Sequence, residues 1–210
     1  VMLAEKHGIV ILTDEIYDQM VYDDARFVPV ATLVNETVCL TYSGLSKIYR
    51  ACGYRVGWCV FSGDLDSAGD YIHGMELLAA LRLCSNVPGQ WAVQTALGGF
   101  QSIEALVSPG GRLYQSRQAI IERVDQSRYL SMHKPMGSMY AFLRLHERFA
   151  DSLDDQAFAL QLLEQYHVLV APGSSFNTPY SDHFRITTLP DTDTIDDVFD
   201  RIETCLEHVA

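Results

Sequence analysis

The chain lacks a hydrophobic run long enough to cross a membrane, and it lacks any excess of positive charge. Its 210 residues include 27 acidic and 15 basic side chains, which gives a formal net charge of −12. Nucleic acids and anionic membrane surfaces are themselves negative, so an acidic chain binds them poorly. We therefore expect neither nucleic acid nor membrane among its partners.

Cysteine and histidine are present, but without the spacing that a metal site or a disulfide framework needs. The five cysteines are odd in number and scattered between positions 39 and 205, and the seven histidines form no paired motif. A zinc site and a set of structural disulfides are therefore not indicated. We expect no metal, buried free thiols and a cytoplasmic location, where thiols stay reduced.

An initiator methionine and a secretory signal pattern are also missing. The first eight residues are typical of the second half of an amphipathic helix that ends at a glycine. We expect the chain to be a fragment whose N-terminal part is missing. Such a fragment would expose unpaired strand edges, so we expect it to be unstable or inactive alone.

Solid apolar runs, separated by helical or loop segments, fill the first half of the chain. Strands are predicted over residues 9–13, 38–42 and 56–61. Helices are predicted over residues 2–7, 64–83, 90–107 and 112–126. Strands that are buried on both faces of a sheet consist of nearly continuous apolar residues. The pattern therefore predicts an α/β fold with a mixed, mostly parallel sheet.

The last hundred residues have a different sequence pattern, in which short predicted strands surround glycine- and proline-containing turns. Strands are predicted over residues 130–133, 139–145, 168–171 and 184–188, and helices over 154–166 and 192–208. This order is typical of a small α+β domain. The predicted domains are residues 1–111 and 112–210.

A single lysine, Lys47, follows the second predicted strand among small and hydroxyl residues, and Arg55 comes eight positions later. A lysine by itself is most often a solvated surface residue, so its setting carries the argument. Small neighbours leave room around the amine for a planar ligand, and an arginine can hold that ligand's anionic end. The stretch therefore predicts a site for a phosphorylated aldehyde, held as a Schiff base.

Asp14 and Tyr17 come directly after the first predicted strand. Ligands of open α/β sheets bind at the carboxyl ends of strands. Alone, Asp14 fits a helix cap and Tyr17 a core tyrosine. With Lys47, however, they supply what a pyridine ring requires, namely an anion beside its nitrogen and a hydroxyl donor beside its phenolate oxygen.

Four motifs together resemble the class I/II aminotransferases, which are fold type I pyridoxal-phosphate enzymes. They are Asp14-Glu15-Ile16-Tyr17, Ser46-Lys47 with Gly53-Tyr54-Arg55-Val56-Gly57-Trp58, Pro135-x-Gly137-Ser138-x-Tyr140, and Phe184-Arg185-Ile186. The resemblance covers essentially all 210 residues and corresponds to the C-terminal half of the family. It implies part of the large cofactor-binding domain, followed by the small C-terminal domain.

The resemblance implies roles for the residues around the pyridine ring. Lys47 would attach the cofactor, pyridoxal 5'-phosphate, and carry the proton between the substrate Cα and the cofactor. Asp14 would pair with the pyridine nitrogen, and Tyr17 would donate a hydrogen bond to the ring oxygen. The substrates would be an amino acid and a 2-oxo acid, and the enzyme would be a homodimer.

The resemblance also implies which residues bind the anionic groups. Arg55 and Ser46 would hold the cofactor phosphate, and Arg185 would hold the substrate α-carboxylate in bidentate geometry. Many relatives carry serine three positions before the lysine, where this chain has Gly44. Whether Ser43 supplies the missing phosphate contact stays open at this point.

Within the family, three segments are similar to the bacterial glutamate–pyruvate (alanine) aminotransferases. They are residues 44–50, 81–88 and 109–114. The similarity implies transamination between alanine and 2-oxoglutarate in two half-reactions, with ping-pong kinetics. Arg82 lies in one of these segments, either as a plain helix-surface residue or near the site of the partner subunit.

Other functions share the same lysine and aspartate. Two alternative enzyme hypotheses are an aromatic or branched-chain aminotransferase and a cysteine-conjugate β-lyase. An aminotransferase-like ligand-sensing domain of a transcriptional regulator is the alternative from a different class. The sequence leaves these alternatives open.

Overall fold

The computed structural model describes residues 1–149 and 152–209. It divides into two compact units, Val1–Glu104 and Ala105–Ala210, each with a sheet of its own. The domain boundary proposed after residue 111 lies near this division and stays a prediction about the family's domains.

The first unit contains one three-stranded sheet and several helices. Its elements are α1 (Met2–His7), β1 (Ile11–Asp14), β2 (Val38–Gly44), β3 (Gly57–Gly63), α2 (Gly69–Leu81) and α3 (Val87–Gly98). Helix α4 (Ile103–Val107) follows and crosses into the second unit. The central strand β2 pairs parallel with β1 and antiparallel with β3. The predicted α/β class with a mixed sheet is therefore confirmed.

The second unit packs three helices around a four-stranded antiparallel sheet. Its elements are α5 (Arg112–Gln126), β4 (Leu130–Met132), β5 (Tyr140–Leu145), α6 (Asp155–Tyr166), β6 (Ala171–Pro172), β7 (His183–Thr187) and α7 (Thr192–Val209). The strand order is β4-β5-β7-β6. Alternate residues of β5, Ala141, Leu143 and Leu145, are fully buried in the core, as the two-residue period of a half-buried strand requires.

Helix ends follow local hydrogen-bond chemistry. The side chain of Asn86 accepts from the backbone N–H of Gly89, so α3 begins at Val87 although a proline follows at position 88. The side chain of Asp154 accepts from Ala157 N at 2.7 Å and caps α6. The sequence therefore encodes these two helix starts locally.

Most predicted bounds lie within two residues of the observed ones, and three predicted elements differ by more. Helix α2 starts only at Gly69, because Asp64 accepts from the backbone N–H of Ser67 and forms a turn instead. The helix predicted over residues 90–107 is two helices, since α3 ends at Gly98. Strand β6 begins at Ala171 rather than at residue 168 and ends at an edge proline.

The five cysteines are free thiols, but not all of them are buried. Cys39 and Cys205 lie in the interior, and burial raises the pKa of the Cys205 thiol to about 11. Cys52 and Cys84 are exposed, so the expectation of buried thiols was wrong for these two. Cys52 opens the short 3₁₀ turn Cys52–Tyr54 and Cys84 follows α2, so neither lies in a strand of the sheet.

Within residues 1–149 and 152–209, no cluster of histidine, cysteine, aspartate or glutamate side chains could hold a metal ion. Among the helices of the same residues, none combines the length and the apolar character that a membrane span needs.

Candidate active site

Asp14 is the last residue of β1 and lies at the edge of the sheet where β2 also ends. The two strands are parallel, and Asp14 is in register with Tyr42. Strands that run in the same direction bring their carboxyl ends to one edge, so Asp14 and the loop after β2 share that edge. The Asp14 side chain is exposed, and one of its oxygens accepts from the backbone N–H of Ile16 at 3.2 Å.

The neighbouring Glu15 is buried, and its carboxylate ties β1 to a distant loop. Its Oε1 atom accepts hydrogen bonds from the Thr13 hydroxyl at 3.3 Å and from the backbone N–H of Val30 at 2.9 Å. This anchor fixes the direction of the chain between Asp14 and Tyr17. Sequence reasoning missed Glu15, although two adjacent acids after a strand signal that one can serve the site and the other can brace it.

Lys47 lies on a loop that buried side chains hold on both sides. Leu45 and Ile48 are 1% and 2% exposed. The loop is closed by two backbone hydrogen bonds, from Ala51 N to Leu45 O at 3.0 Å and from Arg50 N to Lys47 O at 2.9 Å. Lys47 is therefore half-buried on a restrained backbone, as a nucleophilic amine requires.

The amine of Lys47 lies over the ring of Tyr17, with Nζ 5.9 Å from the ring centroid. The structure thus brings together two residues that the sequence placed in one site. Within residues 1–149 and 152–209, Nζ makes no hydrogen bond and no ion pair. An amine with this freedom is available to react with an aldehyde.

Gly44 departs from the motif to which the sequence was compared, and its backbone surroundings favour the glycine. It pairs with Gly57 at the end of the β2–β3 ladder. A Cβ atom at position 44 would lie 2.7 Å from the carbonyl oxygen of Val56 and 3.0 Å from Gly57 Cα. A serine would therefore force the two strands apart, so this backbone favours glycine.

The two candidate serines flank this close approach. Ser43 is half-buried in β2 and in register with Trp58, and Ser46 is half-buried in the lysine loop. In the described part of the chain, neither hydroxyl hydrogen-bonds to another residue. Both hydroxyls can therefore donate to a ligand.

Arg55 ends the short 3₁₀ turn Cys52–Tyr54 in a left-handed conformation, with φ 51°. Its Nη1 atom donates to the carbonyl oxygen of Cys52 at 2.8 Å, which fixes one edge of the guanidinium. Asn86 braces the same turn by donating from Nδ2 to the Tyr54 carbonyl at 2.6 Å. The exposed head of Arg55 is thus held on a restrained turn, with further N–H donors left for an anion.

Arg185 belongs to the second unit, where it lies in β7 and packs against two aromatic rings. Its guanidinium carbon is 4.2 Å from the ring centroid of Tyr140 and 4.4 Å from that of Phe176. Among the residues that the structure describes, none accepts a hydrogen bond from this guanidinium. Cation–π contacts restrain the plane and leave its N–H edge open for a carboxylate.

Sequence reasoning did not assign a role to either ring. Tyr140 belongs to the turn motif that begins at Pro135, and Phe176 to the loop before the strand of Arg185, and neither position by itself indicates a contact with the guanidinium. The available signal was an aromatic residue in each loop or strand adjoining Arg185. The contact itself joins residues that are distant in sequence, and no local pattern shows it.

Comparisons with known proteins agree with these motifs. The family model for aminotransferase class I and II matches residues 1–202. The glutamate-pyruvate aminotransferase AlaA of Escherichia coli K12 is 45% identical over 196 residues, which are 93% of this chain and 48% of that protein. An alanine aminotransferase of Mycobacterium bovis is 47% identical over 188 residues, which are 90% of this chain and 44% of that protein.

Solved structures give the same result. The crystal structure of an aminotransferase from Escherichia coli has a TM-score of 0.94 at 43% sequence identity and covers 98% of this chain and 51% of that one. The chain spans about half the length of the relatives that it matches. The resemblance inferred from four motifs is confirmed, and the chain belongs to the class I and II aminotransferase family.

Proposed function

We propose that this chain is part of a pyridoxal-phosphate-dependent aminotransferase that moves an amino group between alanine and 2-oxoglutarate, with pyruvate and glutamate as products. The observation that carries the proposal is the amine of Lys47, which is free to react on a restrained loop at the carboxyl edge of the sheet. The names of the two relatives at 45% and 47% identity support the substrate pair. We call a polypeptide that contains these residues and matches the relatives over their whole length the full-length enzyme.

The donor set of the first unit fits pyridoxal phosphate. Asp14 offers a carboxylate at the sheet edge, Tyr17 a phenol next to Lys47, and Arg55 an exposed guanidinium. When bound, the cofactor supplies an electron sink that stabilises negative charge at the substrate Cα. The carboxylate of Asp14 would favour protonation of the pyridine nitrogen, because a nearby negative charge stabilises the positive form.

Lys47 moves the proton in this proposal. Its amine would take the proton from the substrate Cα as a general base and then donate it to the cofactor as a general acid. The anchors Leu45 and Ile48 hold the loop in place. Because the loop is restrained, the amine keeps its position between these two steps.

Anionic groups are bound by arginine and hydroxyl donors. Arg55, Ser46 and Ser43 would hold the cofactor phosphate, and the two serine hydroxyls have no competing hydrogen bond among the described residues. Arg185 would bind the substrate α-carboxylate through the N–H edge that the aromatic rings leave open.

A homodimer is part of the proposal, and the exposed apolar surface of the first unit supports it. Helices α2 and α3 and the segments that follow each of them expose large apolar side chains: Leu77, Leu78, Leu81, Leu83, Trp91, Leu97 and Phe100. Exposed apolar patches of this kind mark interfaces. A cytoplasmic location, expected from the free thiols, stays a prediction.

Steady-state kinetics of the full-length enzyme test the proposal. With alanine and 2-oxoglutarate, double-reciprocal plots should give parallel lines, since each substrate reacts in its own half-reaction. The variant Lys47→Ala should lose this activity, whereas Lys6→Ala, at an exposed lysine in α1, should keep it. Turnover with tyrosine or branched-chain donors but not with alanine would overturn the substrate pair. Release of ammonia together with pyruvate from cysteine conjugates would identify a β-lyase instead.

A further inference from the structure

Two charged side chains outside the proposed site are almost completely buried in the second unit. Arg117 in α5 is 0% exposed and Asp155, the first residue of α6, is 2% exposed. Arginine and aspartate are seldom fully buried, because removal of their charge from water must be compensated by hydrogen bonds. Where those hydrogen bonds go therefore indicates what the two residues do.

Arg117 binds the turn that leads into β5. Its Nε atom donates to the carbonyl oxygen of Pro135 at 2.6 Å, and its Nη2 atom lies 3.6 Å from the sulfur of Met136. The turn continues through Ser138, which has φ 62°, to Tyr140 at the start of the strand. The buried guanidinium of Arg117 thus fixes the turn that leads to Tyr140, whose ring packs against Arg185.

Asp155 binds the loop that carries the second ring. Its Oδ2 atom accepts from the backbone N–H of Ser174 at 2.6 Å, within the 3₁₀ turn Gly173–Phe176. The neighbouring Gln156 donates from Nε2 to the Ser174 hydroxyl at 3.2 Å. Phe176 is the last residue of this turn, so the buried carboxylate determines where its ring lies.

Helix α5 also holds the segment that follows Arg185. The Ser116 hydroxyl, 1% exposed, donates to the carbonyl oxygen of Pro190 at 2.6 Å, and Arg112 donates to the carbonyl oxygen of Leu189 at 2.5 Å. One face of α5 therefore binds both the turn before β5 and the segment after β7. These are the strands that carry Tyr140 and Arg185.

We propose that Arg117 and Asp155 are positioning residues that set the orientation of Arg185 by fixing the two aromatic rings against which it packs. The proposal rests on the proposed function of Arg185 as the carboxylate-binding residue. Bidentate binding of a carboxylate depends on the direction of the guanidinium plane, and small misplacements of binding groups weaken it strongly. Neither residue contacts substrate in this account, since each acts through a loop and a ring.

A double-mutant cycle in the full-length enzyme tests the proposal. Arg117→Met and Asp155→Ala should each raise the KM for alanine and the inhibition constant of propionate about tenfold, while kcat changes less than about twofold. Propionate is the probe because it carries the carboxylate of alanine without the amine. The dissociation constant of pyridoxal phosphate should not change. In an Arg185→Lys background, the same substitutions should add less than about a twofold effect, because the orientation that they disturb is already lost.

Matched controls separate positioning from general destabilisation. Arg128→Met and Asp125→Asn replace exposed charged residues of the same unit and should leave every parameter unchanged. Asp155→Asn keeps an oxygen that can accept from Ser174 N–H and should recover most of the affinity that Asp155→Ala loses. Arg117→Lys keeps the buried charge without the forked donors. If Arg117→Met does not fold, Arg117→Lys replaces it in the test. The same increase in the KM for alanine and in the inhibition constant of propionate is then expected.

The results distinguish this proposal from the proposed function. Equal effects in the wild-type and Arg185→Lys backgrounds, or a parallel loss of cofactor binding, would overturn the positioning role. If Arg185→Lys itself leaves the KM for alanine and the propionate constant unchanged, the carboxylate-binding role of Arg185 is wrong instead.

Discussion

The Nζ atom of Lys47 lies 5.9 Å from the ring centroid of Tyr17, although 30 residues separate the two in the sequence. Parallel pairing of β1 with β2 produces this proximity, because both strands deliver their carboxyl ends to one edge. This proximity is what the proposed roles of Tyr17 and Lys47 around one cofactor ring require.

The first prediction concerns this phenol. Tyr17→Phe removes the hydroxyl and keeps the ring beside Lys47. A cofactor oxygen that loses a hydrogen-bond donor to its charged form binds its proton more tightly. The absorbance of the bound cofactor should therefore titrate at higher pH, and kcat should fall by about tenfold. Tyr54→Phe, at an exposed tyrosine, is the control. An unchanged titration in Tyr17→Phe would contradict the role of the hydroxyl.

The second prediction concerns the phosphate. Arg55→Met should weaken binding of pyridoxal phosphate by about a hundredfold, since a charge-assisted contact with the phosphate is lost. Binding of pyridoxal, which has no phosphate, should be unaffected. Equilibrium dialysis with both compounds measures the difference, and Arg26→Met at an exposed arginine is the matched control. Equal losses for the two compounds would place Arg55 away from the phosphate.

The third prediction concerns Gly44. Gly44→Ala should lower the free energy of unfolding by about 1–3 kcal/mol, because its Cβ meets the Val56 carbonyl at 2.7 Å. Gly53→Ala, in the same motif but with nothing within 4 Å of the added carbon, should change stability by less than about 0.5 kcal/mol. Denaturant unfolding of both variants measures this difference. Similar effects would show that the strands at Gly44 move apart freely.

The fourth prediction concerns acid stability. Partial burial acts to raise the pKa of Asp182, but hydrogen bonds from Arg144 at 2.7 Å and His183 at 2.6 Å hold it below its ordinary value. Since the folded-state pKa is depressed, the stabilisation is complete above the unfolded value of about 3.9 and is lost as the pH falls through the folded value. Asp182→Asn should therefore be less stable than the wild type at pH 5, and the difference should shrink towards pH 2.

Unfolding followed between pH 5 and pH 2 measures this dependence. Asp125→Asn, at an exposed aspartate of the same unit, should show no such change. A stability difference for Asp182→Asn that stays constant across this range would contradict the depressed pKa.

Elements with strong local signals could be predicted from the sequence. Helix α5 begins at Arg112 and ends at Gln126 as predicted, because Pro109-Gly110-Gly111 breaks the chain before a clear apolar period. The start of α3 was predicted less accurately, because a proline such as Pro88 usually indicates the end of a helix. Here the cap by Asn86 shows that the helix starts just before it.

The residues of the candidate site also divide into those with a local sequence signal and those whose role depends on distant contacts. Lys47 and Tyr17 were predicted together because each lies in a compact motif at the end of a strand. Glu15 and Phe176 were missed because their roles depend on distant partners, Val30 in one case and Arg185 in the other. Such contacts follow from tertiary packing, which no short pattern encodes.

Covalent mapping of the cofactor tests the central claim most directly. The full-length enzyme, loaded with pyridoxal phosphate and reduced with borohydride, should carry the cofactor's mass on the peptide that contains Lys47. Lys6 and Lys134, the other two lysines of this chain, should stay unlabelled. A label on a different lysine, or a labelled protein when Lys47 is replaced by alanine, would contradict the account.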